Sequence, residues 1–414
     1  MDTLIPAEPT AAAPVRGLWR RPDFRLLIGG RLVSQVGDQL QFLALPLVVV
    51  ALTGSATQAG LVLGAQTITY LVFGLVAGAL ADRWNRKATM IWCDLGRGLL
   101  TATIPIAAAA DALTLPQLYA VAILNGLLGT LFGAANSSAL PNIVGPAELP
   151  GALGAVGALA NLVRIGGASV AGAAYALGRM VPFGVNAVSF LVSAVALRSI
   201  RSGFQQANPT ASASPRQLLA DIRDGLGWLW RRRVIRTLAL LDAGDSLRFG
   251  AGYLLIVMLA QRLHANPAQV GLVFTGAGVG AFAGSLLAGR LARRFPLGKL
   301  SIAMLWIEAL AFPFYALVPT WWLLLAVAFA ESVVTPVYTV ALDSYRLRVT
   351  PDDLRGRVTS AVDTLTTGAG AVGTMAAGAS IALIGAPALT YALAGWLALL
   401  ALAATLSRTV RAAR

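Results

Sequence analysis

Residues 78–87 read Gly-Ala-Leu-Ala-Asp-Arg-Trp-Asn-Arg-Lys, a short charged segment between two long apolar stretches. The segment Gly-Arg-Leu-Ala-Arg-Arg at 289–294 matches four of its first six positions, and QAGLV at 58–62 recurs as QVGLV at 269–273. Two more matches occur in the same order, namely Gly37-Asp38 with Gly244-Asp245, and GPAELPGAL (145–153) with TPDDLRGRV (350–358). The four separations all lie between 205 and 211 residues. Such nearly constant spacing predicts a duplicated helical unit.

The composition on either side of this segment is that of a membrane protein. Of the 414 residues, 57% are hydrophobic and 12% are charged, and the mean hydropathy is +0.73. A soluble domain carries roughly 25% charged residues, because its surface must face water. The single Cys93 excludes an intramolecular disulfide. The N-terminal residues contain no apolar core typical of a signal peptide and predict a short cytoplasmic tail.

Apolar windows long enough for a membrane-spanning helix, about 20 residues each, recur along almost the whole chain. They predict an all-α membrane protein with twelve transmembrane helices in two pseudo-symmetric six-helix bundles. The spans are predicted at about 24–52, 55–81, 88–110, 115–140, 152–178 and 180–199, and at about 234–261, 267–292, 299–318, 320–346, 356–384 and 386–407. The corresponding units are a tail 1–23, a bundle 24–199, a linker 200–233, a bundle 234–407 and a tail 408–414.

The linker combines a flexible part with an amphipathic one. GFQQANPTASASP, from Gly203 to Pro215, is flexible by composition. In residues 216–233 five apolar side chains fall on one face of a helix, which predicts a helix lying at the membrane interface. Trp228 and Trp230 would then lie at headgroup depth. The alternative is a buried core helix, which the triple arginine that follows disfavours.

Arginine and lysine residues outside the predicted spans are strongly asymmetric. They occupy both tails, the linker and the loops after spans two, eight and ten, whereas the opposite side has only Arg179 and Arg262. Basic residues favour the cytoplasmic side of a membrane. The distribution predicts an inner-membrane protein with both termini in the cytoplasm. It also explains the net charge of +14 without any nucleic-acid partner.

Two segments resemble a known family. Residues 78–87 are similar to the GxLADRxxRK signature of the loop between helices two and three in the major facilitator superfamily. RLVSQVGDQLQFLALPLVV, at 31–49, resembles the first helix of its drug:proton antiporter branch, which includes bacterial macrolide and siderophore exporters. One segment departs from the pattern, because residues 167–172 keep the glycines of a GPxxGG-like motif in helix five and lack its proline.

The resemblance implies a function. The expected protein is a secondary active transporter that exports amphipathic or cationic organic compounds, such as a drug, an antibiotic or a siderophore. Export would proceed by proton antiport through alternating access, in a monomer embedded in the lipid bilayer. Two alternatives stay open: a transporter of lysophospholipid or another amphiphile without proton antiport, and a membrane sensor that does not transport.

The signature segment also predicts a gate. Gly78 would let two helices approach closely, and Asp82 ends a helix beside the basic residues Arg83, Arg86 and Lys87. The resemblance implies that this aspartate helps to hold the cytoplasmic side closed. Its expected partner is the start of span eleven, with Arg355 or Arg357. The alternative is a loop that only sets the topology, which leaves the acidic residue unexplained.

Ionisable residues within the spans are candidates for proton coupling and for the substrate cavity, because each costs about 2.5–3.5 kcal/mol at a helix centre. A carboxyl group held away from water can exchange a proton near neutral pH, whereas a nearby arginine makes a fixed ion pair. We therefore predict Asp38 and Glu331 as proton carriers and Asp245 with Arg248 as a structural pair. Asp343 is predicted to be a gate or surface group. The remaining candidates are Arg164, Asp242, Glu308 and Asp363.

Several other functions lack support in the sequence. GAGVGAFAG, at 276–284, superficially resembles a dinucleotide fingerprint, but it lies inside an apolar span without a preceding strand. There is no GxxxxGK[ST] phosphate loop, and a single His264 leaves little material for a metal site. We therefore expect no cofactor, no bound metal and no enzymatic activity.

Overall fold

A computed structural model describes residues 19–144, 148–204, 223, 227–351 and 354–413 of the chain. The described part is helical and contains no strand. Its helices are α1 (Pro22–Thr53), α2 (Ala56–Arg83), α3 (Arg86–Ala109), α4 (Leu115–Ile143), α5 (Leu149–Leu177), α6 (Val181–Ser199), α7 (Arg233–Arg262), α8 (Pro267–Arg294), α9 (Leu297–Ala311, then Phe314–Leu317), α10 (Trp321–Ser332, then Thr335–Val349), α11 (Arg355–Ile384), α12 (Ala386–Leu406) and α13 (Arg408–Arg411).

Ten helical segments of the described chain are long and apolar enough to cross a membrane. They correspond to α1, α4 to α8, and α9 to α12, where the two parts of α9 and of α10 each form one span. The prediction of an all-α membrane protein is therefore confirmed. Helices α2 and α3 are not among the ten. Asp94 and Arg97 lower the mean hydropathy of α3.

Short connections make consecutive helices antiparallel, and their ends carry local stop and start signals. Gly54 ends α1 in the left-handed conformation, with φ at +65°. Ser55 then accepts a hydrogen bond from the Gln58 amide and caps α2. A full capping box of Asn266 and Gln269 begins α8. We call the end of the bundle where α1 begins and α12 ends the proximal end, and the opposite end the distal end.

The two halves of the chain use the same helix pairings. In the first half α1 packs against α5 and α6, α2 against α4, and α3 against α4 and α6. In the second half α7 packs against α11 and α12, α8 against α10, and α9 against α10 and α12. This correspondence is the one that the repeated sequence segments predict. The division into the two bundles 24–199 and 234–407 stays a prediction.

The halves meet through α2 with α11 and through α5 with α8. Small residues allow these backbones to approach closely. A Cβ atom on Gly60 would lie 2.8 Å from the Thr374 carbonyl oxygen, and one on Gly172 would overlap the Pro267 carbonyl. The Thr57 hydroxyl donates a hydrogen bond of 3.1 Å to the Gly378 carbonyl oxygen. All of these contacts lie in the distal half of the helices.

Part of the predicted interfacial helix falls within the described chain. Residues 227–231 are helical, and Leu229 is buried against Ile235, Val358 and Val362. Trp230 is exposed. The other residues of the amphipathic prediction, apart from Arg223, Arg232 and Arg233, lie outside the described residues. This segment therefore packs Leu229, and the partly buried Trp228 beside it, against α7 and α11.

Candidate functional site

Three buried carboxyl groups surround one arginine in the second half of the chain. Arg248 on α7 lies with its Nη2 atom 2.8 Å from an Asp245 oxygen and 3.2 Å from a Glu308 oxygen. Its Nη1 atom lies 2.6 Å from Glu331 Oε1. The Tyr315 hydroxyl lies 3.1 Å from the other Glu331 oxygen. We call these five residues the carboxylate cluster.

Side chains from α7, α9 and α10 meet in this cluster. Asp245 and Arg248 are three residues apart and share one face of α7. Glu308 comes from α9 and is fully buried, and Glu331 comes from α10 immediately before the helix is interrupted at Val333. Phe312 lies under the guanidinium, with its ring centre 5.6 Å from the arginine Cζ atom.

The cluster differs from the predicted arrangement. Asp245 and Arg248 do form the expected pair, but Glu331 contacts the same arginine, so it is not an isolated carboxylate. Among the described residues the cluster contains three acidic groups and one basic group. With all three carboxylates ionised, two negative charges would be uncompensated. Such a site can bind protons or an organic cation.

The first half carries a smaller ionic site. Asp38 Oδ1 lies 2.8 Å from Arg97 Nη2, and the Asp38 carboxyl is 41% exposed. Arg97 also lies over the Phe190 ring, 4.2 Å from its centre. Asp94 is completely buried, and neither of its oxygens has a well-aligned donor among the described residues. The hydroxyl of Ser193 and the Arg97 guanidinium are close to it.

Asp94 and Arg97 were missed by the sequence analysis, although a signal was available. Both lie inside the predicted span 88–110, three residues apart, and therefore on one helix face. Asp38 is consequently an ion-paired residue in this structure, whereas the sequence analysis predicted it as a proton carrier without identifying Arg97 as its partner.

At the position of the first half that corresponds to the carboxylate cluster, uncharged side chains form a hydrogen-bond network. Gln41 follows Asp38 by three residues, as Arg248 follows Asp245. Its side-chain oxygen accepts hydrogen bonds from Asn186 at 2.7 Å and from Thr101 at 3.3 Å. The arrangement of three carboxyl groups around one arginine therefore has no counterpart at this position of the first half.

A second acidic group lies nearer the proximal end. Arg346 Nη2 lies 2.6 Å from Asp343 Oδ1, three residues before it on α10. Asp242, which is half-buried, and the exposed Asp363 are close enough to Arg346 to interact electrostatically. Asp242 also lies close enough to Asp245 to interact electrostatically with the carboxylate cluster. Arg164 is exposed on α5, and its only recorded hydrogen bond, of 3.4 Å, is to Asn161.

Three aromatic side chains bridge the halves on the distal side. The rings of Phe42 and Tyr253 are 4.5 Å apart, and those of Tyr253 and Phe274 are 4.7 Å apart. The Tyr253 hydroxyl donates a hydrogen bond of 3.2 Å to the Phe42 carbonyl oxygen. This stack joins α1, α7 and α8 at the level where the halves are in contact.

The predicted gate is only partly visible. The side chains of Gly78, Asp82, Arg83 and Arg355 lie outside the described residues. Arg86 donates a hydrogen bond to the Phe204 carbonyl oxygen. Lys87 donates to the carbonyl oxygens of Arg198 and Ile200, at 3.0 and 2.6 Å. In this structure both basic residues hold the segment that follows α6.

Among the described residues, no group of three or more His, Cys, Asp and Glu side chains is arranged to hold a metal ion. The acidic residues of the carboxylate cluster are instead directed at the Arg248 guanidinium.

A bundle of long apolar helices in two equivalent halves, with buried charged residues inside each half, defines a multi-pass membrane transporter of the major facilitator type. Solved structures agree on the fold. The chain superposes on the nucleoside transporter NupG with a TM-score of 0.73, at 15% identity, over 93% of this chain and 98% of that one. A bacterial homologue of the iron transporter ferroportin gives 0.71 in its inward-facing state (18% identity, 94% and 98% of the chains) and 0.58 in its outward-facing state (19%, 93% and 98%).

The chain belongs to the transmembrane secretion effector family of the major facilitator superfamily, whose family model matches residues 10–413. A similar protein is the multidrug efflux pump Tap of Mycobacterium tuberculosis, 28% identical over 370 residues and 87% of each chain. The superfamily that the sequence analysis named is thus confirmed. The chain is a transporter and not an enzyme.

Proposed function

We propose that this protein exports amphipathic or cationic organic compounds by proton antiport through alternating access. The carboxylate cluster is the observation that carries the proposal. Its charge imbalance supplies a site for protons within the membrane, and the efflux pump Tap is a relative over most of the chain. The chain would cross the membrane twelve times as a monomer, with α2 and α3 included and the proximal end in the cytoplasm.

Charge balance supports the proton step. Burying two uncompensated negative charges in a membrane protein is costly, whereas a neutral acid is tolerated. The cluster would therefore hold protons in the state seen here. Loss of a proton from Glu331 would tighten its pairing with Arg248 and favour a different packing of α10 against α7. Each proton moving inwards would contribute about 2.3 kcal/mol per 100 mV of membrane potential.

The excess of acidic side chains supports a cationic substrate. Six acidic residues lie on the helices of the second half, and the ion pairs that they form there involve two arginines, Arg248 and Arg346. They are Asp242, Asp245, Glu308, Glu331, Asp343 and Asp363. An organic cation could neutralise these carboxylates in place of protons. Protons and the substrate would then compete for the same groups, and this competition would couple their movements.

The state represented is inward-facing in this proposal. The contacts between the halves are concentrated at the distal end, which would be the extracytoplasmic side. The higher TM-score against the inward-facing ferroportin homologue, 0.71 against 0.58, supports the same assignment.

Transport in everted membrane vesicles tests the function. Vesicles that contain the protein should accumulate a cationic dye or drug when a proton gradient is imposed, and substrate addition should release protons from the lumen. Substrate movement without proton flux would indicate an amphiphile transporter without antiport. Absence of movement across a broad panel of cations and amphiphiles, with the protein folded in the membrane, would favour a sensor.

Gly172→Ala tests the conformational assignment. The added methyl group would overlap the Pro267 carbonyl and should destabilise the distal contact between α5 and α8 by about 1–3 kcal/mol. We expect a several-fold shift towards the outward-facing state, visible as a longer distance between labels on the distal turns at Leu177 and His264. Gly166→Ala is the matched control, because that position has open space on the same helix. Equal distances in the two variants would contradict the assignment.

Asp82→Asn tests the gate. If the carboxylate holds the proximal side closed through the start of α11, its loss removes an interaction of about 1–3 kcal/mol and shifts the state ratio at least five-fold. The expected result is a larger inward-facing population, slower turnover and unchanged substrate preference. Labels on the proximal ends of α2 and α11 measure the population. Asp82→Glu keeps the charge and should show the distance distribution of the parent protein. An unchanged distribution in Asp82→Asn would contradict the gating role and would mean that Asp82 only helps to set the topology.

A further inference from the structure

A cavity of about 660 Å³ opens at the proximal end of the second half, between α8, the turn into α9, and α10. It shares no residue with the carboxylate cluster. Three arginines contribute to its wall, namely Arg293, Arg294 and Arg348, and its lining contains no acidic residue. The cavity is therefore a site of concentrated positive charge, independent of the transport path described above.

The last two arginines of α8 have no ionic partner in the described part of the chain, although the Arg294 Cζ atom lies 5.9 Å from the centre of the adjacent Phe295 ring. Neither Arg293 nor Arg294 makes a hydrogen bond or an ion pair with any residue that the structure describes, and both are exposed. In the first half the basic residues of the corresponding turn behave differently. Arg86 and Lys87 bind backbone carbonyl oxygens of the segment after α6.

The remaining wall is apolar and continues onto the membrane face of α8. Phe295, Leu297 and Val340 line the cavity beside the arginines. Further along α8, towards the distal end, Leu286 and Phe282 are 66% and 53% exposed. A ligand that fits this surface has an anionic head and an apolar tail. An anionic phosphate accepts several hydrogen bonds from guanidinium groups, and basic pockets at the ends of membrane helices bind such lipid headgroups.

We propose that this cavity binds an anionic glycerophospholipid. The phosphate lies against Arg293, Arg294 and Arg348, and an acyl chain lies along Leu286 and Phe282. The site requires only that the proximal end lies at the membrane surface. It requires neither proton coupling nor a particular direction of transport.

Purified full-length protein tests the site by direct binding. Native mass spectrometry would measure retained phosphatidylglycerol and phosphatidylcholine of equal chain length, and thermal unfolding would be followed with each lipid and with glycerol phosphate. We expect selective binding of phosphatidylglycerol and a rise in the unfolding midpoint with that lipid. In Arg293→Gln/Arg294→Gln we expect binding to weaken about tenfold or more. The control Arg198→Gln/Arg201→Gln removes two exposed basic residues from the proximal side of the first half and should bind as the parent protein does.

A second variant keeps the positive charge of the cavity and fills part of its volume. Ser344→Trp places an indole in the cavity and should also reduce phosphatidylglycerol binding, while all three arginines stay in place. Equal loss of binding in the control pair, or no loss in either cavity variant, would overturn the proposal. A midpoint rise with glycerol phosphate as large as that with phosphatidylglycerol would assign the cavity to a soluble anion instead. Equal binding of phosphatidylcholine would contradict recognition of an anionic headgroup.

Discussion

Glu331→Gln is expected to abolish most of the export driven by a proton gradient while leaving the protein folded in the membrane. Glutamine preserves the size of the side chain and its contacts with Arg248 and Tyr315, but it cannot release a proton. Coupling energies between two ligands are typically 1–3 kcal/mol, so the gradient-driven rate should fall about tenfold or more. Exchange of labelled for unlabelled substrate needs no net proton movement and should persist. Everted vesicles measure both quantities between pH 6 and pH 8.

Two further variants are compared with Glu331→Gln in the same assay. Asp111→Asn makes a similar chemical change on the exposed turn between α3 and α4, and should transport as the parent protein does. Asp38→Asn should also reduce gradient-driven export, with a smaller effect, because the Asp38 carboxyl is partly exposed and paired one to one with Arg97. Parent rates in both Glu331→Gln and Asp38→Asn across the pH range would show that neither residue carries the proton.

Arg248→Gln is expected to have the largest effect on stability. The guanidinium is the only basic group recorded in contact with the three carboxyl groups of the described cluster, and its side chain is 4% exposed. Removing one partner of a buried ion pair costs about 3–5 kcal/mol, because the remaining charge has no compensation. The unfolding midpoint should fall accordingly, and it should fall less at acidic pH, where the three acids are neutral.

The matched control is Arg346→Gln, which removes an arginine from the Asp343 pair. That carboxyl is 47% exposed, and exposed pairs contribute about 0–1 kcal/mol. The double variant Arg248→Gln/Glu308→Gln should recover part of the lost stability, since it removes one of the unpaired acids. If Arg248→Gln and Arg346→Gln were equally stable, the cluster would not depend on its arginine in the way the geometry implies.

The carboxylate cluster contains one contact within a single helix and two contacts between residues that are distant along the chain. Asp245 and Arg248 are three residues apart, so the α-helix alone places them side by side, and the sequence predicted their pairing. Glu308 and Glu331 lie 60 and 83 positions from Arg248 along the chain. Their meeting depends on how α9 and α10 pack against α7. A one-dimensional pattern contains no information about that packing, so the contact between Glu331 and Arg248 was not predicted.

The sequence by itself determined the helical membrane class, the repeated units and the pair on α7. Each of these depends on composition, on helix periodicity or on the spacing of matching segments, which are properties of neighbouring residues. The tertiary structure alone decided that Arg97 is the partner of Asp38, that Gly172 is a point of contact between the halves, and that the arginines of α8 border an open cavity. These features depend on side chains brought together from distant helices, because burial and close packing are properties of the whole bundle.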